Sequence, residues 1–267
     1  MRALQPVAPA GVAFLLLALG GVFGGAAVTG EVKFVGTPPA NPTIDMSEEP
    51  QCKAHYPTTP RQPIAVVGST GSLAGVFVYV KTGLPAAAKY TPPTTPVVLD
   101  QKACLYHPRV FGIMVGQPLE IRNSDPLLHN IKATGKENRP FNISQPVAGM
   151  TMERTFTTPE VMVPFECNVH GWMHAFAGVL SHPFFATTGP DGRFTINNLP
   201  PGTYTIEAWH EKFGRQTATV TLQDDQTGTL NLTYPTKQQA GRASRPSWVI
   251  TRERLHRALV ATLPAGG

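Results

Sequence analysis

Val161-Met162-Val163-Pro164-Phe165-Glu166-Cys167-Asn168-Val169-His170-Gly171-Trp172-Met173 is the stretch that decides how this chain folds. Val161 to Glu166 is short, apolar and rich in β-branched and aromatic side chains, which predicts a strand. It runs directly into Cys167. Gly171 keeps the following residues from continuing as a helix, and Ala175 to Leu180 reads as the next strand. A thiol, an imidazole and a thioether therefore sit on one tight loop between two strands.

Outward from this loop, Leu119 to Asn123 predicts another strand, and Asp125 to Ile131 a turn that carries His129. Two histidines and a cysteine around a weak axial methionine are the ligand set of a mononuclear blue copper site. The expected ligands are His129, Cys167, His170 and Met173. Each has an ordinary explanation when taken singly: a buried thiol, two packing or surface histidines, a gap-filling methionine. Jointly, four soft or borderline donors on two loops favour copper. His174 would point away from its neighbour Met173 in a strand. His107 and His210 have no partner cluster and read as surface or packing residues.

The rest of the chain agrees with an all-β fold. Its 267 residues include 27 prolines and 25 glycines, which break helices and central strands. Strands are expected at Ala27 to Val35, Gly75 to Val80, Val97 to Asp100, Val110 to Val115 and Met150 to Thr157. Residues 39–63 and 82–96 are proline-rich connectors. A second pattern starts near Phe184. Asp191-Gly192 and Pro200-Pro201-Gly202 supply turns between alternating segments, followed by strands at Gln216 to Leu222 and Thr229 to Tyr234.

The net charge of +5 is no argument for nucleic acid. Lys237, Arg242, Arg245, Arg252, Arg254 and Arg257 against Glu253 account for all of it. They lie in a tail (236–267) read as mobile, with one amphipathic helix possible from Trp248 to Leu263. At the other end, Gly11 to Phe23 is apolar but short for a membrane span and is followed by small residues. This predicts an export signal cleaved near Ala27, or an uncleaved anchor. The body is then expected outside the cytoplasm, in the periplasm or envelope, with membrane contact only through an uncleaved segment. In that oxidising space Cys52 and Cys104 can form a disulfide or remain two buried thiols.

Residues 96–182 resemble the cupredoxins. Asn123-Ser124-Asp125-Pro126-Leu127-Leu128-His129-Asn130-Ile131, Phe156, Pro159 and Phe165 are similar to the segments around that family's ligands, and the Cys-x2-His-x2-Met spacing is amicyanin-like. The resemblance implies a Greek-key β-sandwich with one type 1 copper. It implies that Asn130 ties the His129 turn to the cysteine loop and that Asn123 pairs backbone groups in the turn. It also implies that His170 shows a ring edge to solvent as the electron port. Pro126, Leu127, Leu128 and Trp172, with Gly171, would form an apolar docking patch around it.

Asp191-Gly192-Arg193-Phe194 and Leu199-Pro200-Pro201-Gly202-Thr203-Tyr204 resemble the carboxypeptidase regulatory-like domain, a small transthyretin-like β-sandwich. Val28 to Val32 and Gly75 to Val80 look like its opening strands. The division expected is 28–95 with 183–235 for this domain, with 96–182 inserted. The simpler alternative assigns 28–182 to the copper domain.

The function expected is single-electron transfer to a redox partner protein of the envelope. The alternatives are an envelope module that binds glycan or protein, with copper secondary, and a copper chaperone or store. No paired carboxylates, Ser-His-Asp order or phosphate loop suggests an enzyme.

Overall fold

A computed structural model describes residues 25–235. The expected export signal lies outside them except for its last residues, and the basic tail lies wholly outside. The chain begins with β1 (Ala26–Val35), a single-turn helix α1 (Pro50–Lys53) and β2 (Phe77–Thr82). It continues with β3 (Val97–Lys102), β4 (Leu105–His107), β5 (Val110–Met114), β6 (Pro118–Asn123) and β7 (His129–Ala133). Next come β8 (Phe141–Gln145), β9 (Thr151–Thr155), β10 (Glu160–Glu166) and β11 (His174–Leu180). The last strands are β12 (Phe185–Thr187), β13 (Arg193–Leu199), β14 (Gly202–His210), β15 (Gly214–Leu222), β16 (Thr227–Thr229) and β17 (Leu232–Pro235).

These strands form two sandwiches. One pairs the sheet β13-β1-β16, with β17 also on β1, against the sheet β12-β2-β14-β15. Its core holds Val28, Val32, Val78, Phe194, Ile206 and Tyr204 among others. The other consists of the sheets β5-β11-β10-β7-β8 and β4-β3-β6-β9. The chain therefore leaves the first sandwich after β2, builds the whole second sandwich, and returns at β12. β1 and β2 pair with β13 and β14, which lie beyond residue 182.

Strand alternation positions the second core. In β10, Val163 and Phe165 are buried and their neighbours less so, and Cys167 continues this inward set. Phe165 packs on the rings of Phe111, Phe141 and Phe156 at 5.9, 6.3 and 6.3 Å. A ring so enclosed contributes about 3–5 kcal/mol against truncation to alanine. The sandwiches meet through Phe77, Tyr79, Val110 and Leu180. Gly112 and Gly178 leave no room for a Cβ beneath the rings of Phe185 and Phe77, so the sheets approach closely. Arg109 clasps Glu211 with two hydrogen bonds, at 2.6 and 2.8 Å.

Several sequence expectations shift. β1 starts at Ala26, whose side chain is buried, so cleavage after Ala27 would remove the first two residues of a paired strand. His129 opens a strand rather than lying within a turn. The supposed loop 39–63 contains α1.

Candidate metal centre

β10 is antiparallel to both β7 and β11, so the end of β10, the start of β7 and the start of β11 share one edge of the sandwich. The loop Cys167–Met173 closes over that edge. It is held by backbone hydrogen bonds from Met173 N to His170 O (2.9 Å) and from Cys167 N to Met173 O (3.3 Å). The His170 backbone N–H also donates to the Cys167 sulfur at 3.3 Å.

This architecture gathers the side chains. His129 Nδ1 lies 3.0 Å from His170 Nδ1, and Cys167 Sγ lies 3.8 Å from the same His170 nitrogen. The donor atoms of His129, Cys167 and His170 are all within 4.8 Å of one another, and all three residues are buried. Met173 is fully buried in the same apolar cluster as Cys167. Two imidazole nitrogens and a thiol sulfur at these separations are donor types that would hold a copper ion, so the residues fit one. Two imidazole nitrogens facing each other at 3.0 Å cannot both present lone pairs without a proton or a cation between them.

The environment of Cys167 favours its thiolate. Burial would raise its pKa, but the His170 side chain and the backbone of His170, Asn130 and Val169 outweigh it and hold the thiol below its ordinary value.

Asp125 orients His129 and was not identified as a site residue from the sequence. Its Oδ2 lies 2.7 Å from His129 Nε2, and it accepts backbone hydrogen bonds from Ala103 (2.7 Å) and Cys104 (2.8 Å). Burial would raise the carboxyl pKa. The Cys104 N–H and His129 overcome that effect, so Asp125 titrates below the usual carboxylate value. A carboxylate on Nε2 fixes the proton there and leaves Nδ1 free to bind a metal. Tyr106 was also missed; its hydroxyl donates to Asn130 O at 2.5 Å, and burial beside Cys167 pushes its pKa up.

Asn130 accepts from Asn168 N at 3.1 Å and donates to Asn142 Oδ1 and Ile143 O, joining the β7–β8 pair to the cysteine loop. Asn123 donates to Leu127 O and Gln145 O and accepts from Asp125 N. Cys52 and Cys104 are joined as a disulfide. Of the histidines set aside, His107 is exposed, and His210 is buried against Phe213.

The expected solvent-facing port is not there, and this corrects the sequence reading. His170 has 0% exposure. Its Nε2 edge faces Cys52 Sγ at 3.7 Å and Glu49 Oε2 at 3.8 Å, and the Trp172 ring leans on it at 5.2 Å. The cover is the segment Ile44 to Tyr56, drawn down by the disulfide and by Tyr56 donating to Ala103 O at 2.7 Å. Gln62 adds a bond to Trp172 O, and Trp172 Nε1 donates to Cys104 O at 2.9 Å. Of the expected docking patch, Leu127 and Trp172 pack into this cover, while Pro126 and Leu128 stay exposed. Val169 and Val147 are exposed at the same end.

No curated protein matches the sequence. Among solved structures, a copper-containing nitrite reductase from Thermus scotoductus SA-01 is 22% identical, with a TM-score of 0.31, over 38% of this chain and 26% of that one. The aligned part thus spans about a quarter of that enzyme. A purple cupredoxin from Nitrosopumilus maritimus is 22% identical over 32% of this chain and 97% of its own, with a TM-score of 0.27. A Cu(I) amicyanin variant is 16% identical over 38% of this chain and 97% of its own, with a TM-score of 0.29. At these TM-scores the likeness carries no functional weight. Residues 180–235 match the carboxypeptidase regulatory-like domain. The chain is thus an all-β protein that ends its described part in a carboxypeptidase regulatory-like segment and has cupredoxins among its structural neighbours.

Proposed function

We propose that this chain is a type 1 copper protein that carries single electrons outside the cytoplasm, with His129, Cys167, His170 and Met173 as ligands. The observation that carries the reading is the convergence of the His129, Cys167 and His170 donor atoms within 4.8 Å of one another, from the first residue of β7 and from the Cys167–Met173 loop. When bound, copper would supply one-electron exchange between Cu(I) and Cu(II). The chain's own residues do the rest. Asp125 sets the His129 tautomer, Asn130 braces the cysteine loop, and the apolar core containing Met173 excludes water. A donor set braced in advance needs little rearrangement when the charge of the ion changes. We assign no chemical turnover to this site.

The docking face for a redox partner protein is the exposed apolar rim formed by Leu128, Val169 and Val147. Leu128 precedes His129, Val169 precedes His170, and Val147 follows the β8 strand whose Gln145 pairs with His129. A small apolar face suits brief encounters and fast release. The division into residues 28–95 with 183–235, and 96–182, belongs to the same proposal. The pairing of β1 and β2 with β13 and β14 supports it.

A second reading, copper holding or transfer, is favoured by one observation: the His170 edge is closed off by the Ile44 to Tyr56 cover. Two rates on the copper-loaded protein separate the readings. Fast oxidation by a redox protein with slow loss of Cu(I) to a chelator supports the electron carrier. The reverse order supports transfer of the metal.

A further inference from the structure

The sulfurs of Cys52 in the cover and Cys104 beneath it, with the outer nitrogen of His170, form a second group of soft donors. Cys52, Cys104 and His170 place their ligand atoms within 4.8 Å of one another, and all three are buried. His170 belongs to both groups through opposite edges of one ring: Nδ1 faces His129 and Cys167, and Nε2 faces Cys52. Met46 lies in the same buried cluster, and Glu49 Oε2 is 3.8 Å from His170 Nε2. The cover is a single layer of chain. Ile44, Met46 and Cys52 turn inward, while Asp45, Ser47, Pro50, Gln51 and Lys53 face water.

We propose that, once the disulfide is reduced, Cys52, Cys104 and His170 Nε2 form a Cu(I)-binding site on the route by which copper enters the buried centre. The balance is simple. A dithiol reductant gives two electrons and two protons; the S–S bond breaks, two S–H bonds form, and the reductant closes its own disulfide. Cu(I) then binds the two sulfurs and His170 Nε2, displacing the thiol protons and, where Nδ1 already holds an ion, the Nε2 proton to water, with no change in its oxidation state. Thiolate pairs with a thioether nearby select Cu(I) over harder cations. Thiol–disulfide exchange with the oxidised form of the same dithiol, which takes back the two electrons, would expel the ion and restore the cover. The site adjoins the proposed type 1 centre through His170 but is tested apart from it.

The test uses the full chain with Cys167→Ser, which removes the thiolate of the first centre. Cu(I) is offered anaerobically to the disulfide-bonded and the dithiol-reduced forms, in competition with a chromogenic Cu(I) chelator. The reduced form should retain one more equivalent of Cu(I) than the disulfide-bonded form. The further substitutions Cys52→Ser and Cys104→Ser should abolish that difference. X-ray absorption on the retained ion should show two sulfur ligands and one nitrogen. Equal retention by both redox forms overturns the proposal, as does equal retention after the two further substitutions. An all-sulfur shell removes His170 from the site. Displacement by an equal concentration of Zn(II) removes Cu(I) as its ligand. Because the substitutions can loosen the cover, the unsubstituted chain is read in parallel. It should bind one Cu(I) with the disulfide closed and two with it open. Loss of the first equivalent counts against the type 1 reading alone, and loss of the second against this proposal alone.

Discussion

Asp125 Oδ2 sits 2.7 Å from His129 Nε2, in a pocket where neither side chain meets solvent. The carboxylate holds the imidazole proton on the outer nitrogen and so aims Nδ1 at Cys167 and His170. Asp125→Asn removes the charge while keeping the size. Copper affinity is expected to fall by about 10–100-fold. Competition with a chelator measures it, and an unchanged affinity would assign Asp125 to shaping the turn alone.

Met173 is the weak axial donor of the proposed set. Replacing it with Gln keeps the His₂Cys plane and exchanges a thioether for a harder oxygen, which stabilises Cu(II) relative to Cu(I). The reduction potential should drop while the blue colour persists. Voltammetry showing no shift would remove Met173 from the ligands.

Trp172 packs over His170 beside the cover, leaning on the ring and donating to Cys104 O. Trp172→Ala should uncover part of the Nε2 edge. Electron exchange of the copper protein with a small soluble oxidant, followed by stopped flow, should accelerate. A rate unchanged from the parent would mean that electrons do not pass by this edge.

How much of this was legible in the sequence differs from residue to residue. The β10 strand and the Cys167–Met173 loop could be read because an apolar alternating run ends in three donor side chains. His129 could be read as their partner because it follows another strand and the donor types complement one another. Asp125 could not, since an Asp-Pro pair in a turn looks the same whether its carboxylate caps backbone groups or supports a ligand. Its one signal was its position four residues ahead of His129. β8 was missed because Asn142 and Ser144 are polar and Arg139-Pro140 precede it, although their outward direction is what a half-buried strand requires. The cover was hidden for a different reason. Residues 39–63 look like a proline-rich linker, and long-range pairings, the disulfide to Cys104 and the hydrogen bonds of Tyr56 and Gln62, lay them on His170. An exposed histidine edge was expected because the resemblance covers the copper sandwich and not the segment lying on it.

His210 gives a pH prediction remote from the metal. Burial pushes its pKa down to about 4, against the pull of Glu211, so the ring is neutral in the folded chain near pH 7. An unfolded histidine protonates near ~6.5, so acid favours the unfolded state. The stability that depends on the neutral ring is complete above about pH 6.5. It is lost progressively as the pH falls toward about 4, in total on the order of 3 kcal/mol. Chemical denaturation of the parent and of His210→Asn across this range should show that loss in the parent and not in the variant. Parallel curves would mean that the ring takes up its proton in place.

Phe165 tests the scaffold under the site. Phe165→Ala should cost about 3–5 kcal/mol in an unfolding titration. A cost below about 1 kcal/mol would contradict its place between Phe111, Phe141 and Phe156.

The most direct test of the copper centre is spectroscopic. Loaded with Cu(II), the protein should show an intense visible band toward the red and the narrow copper hyperfine splitting of a thiolate-bound ion in its EPR spectrum. Cys167→Ser should lose both. A pale Cu(II) protein with ordinary hyperfine splitting, unaltered by that substitution, would contradict a type 1 site built on His129, Cys167 and His170.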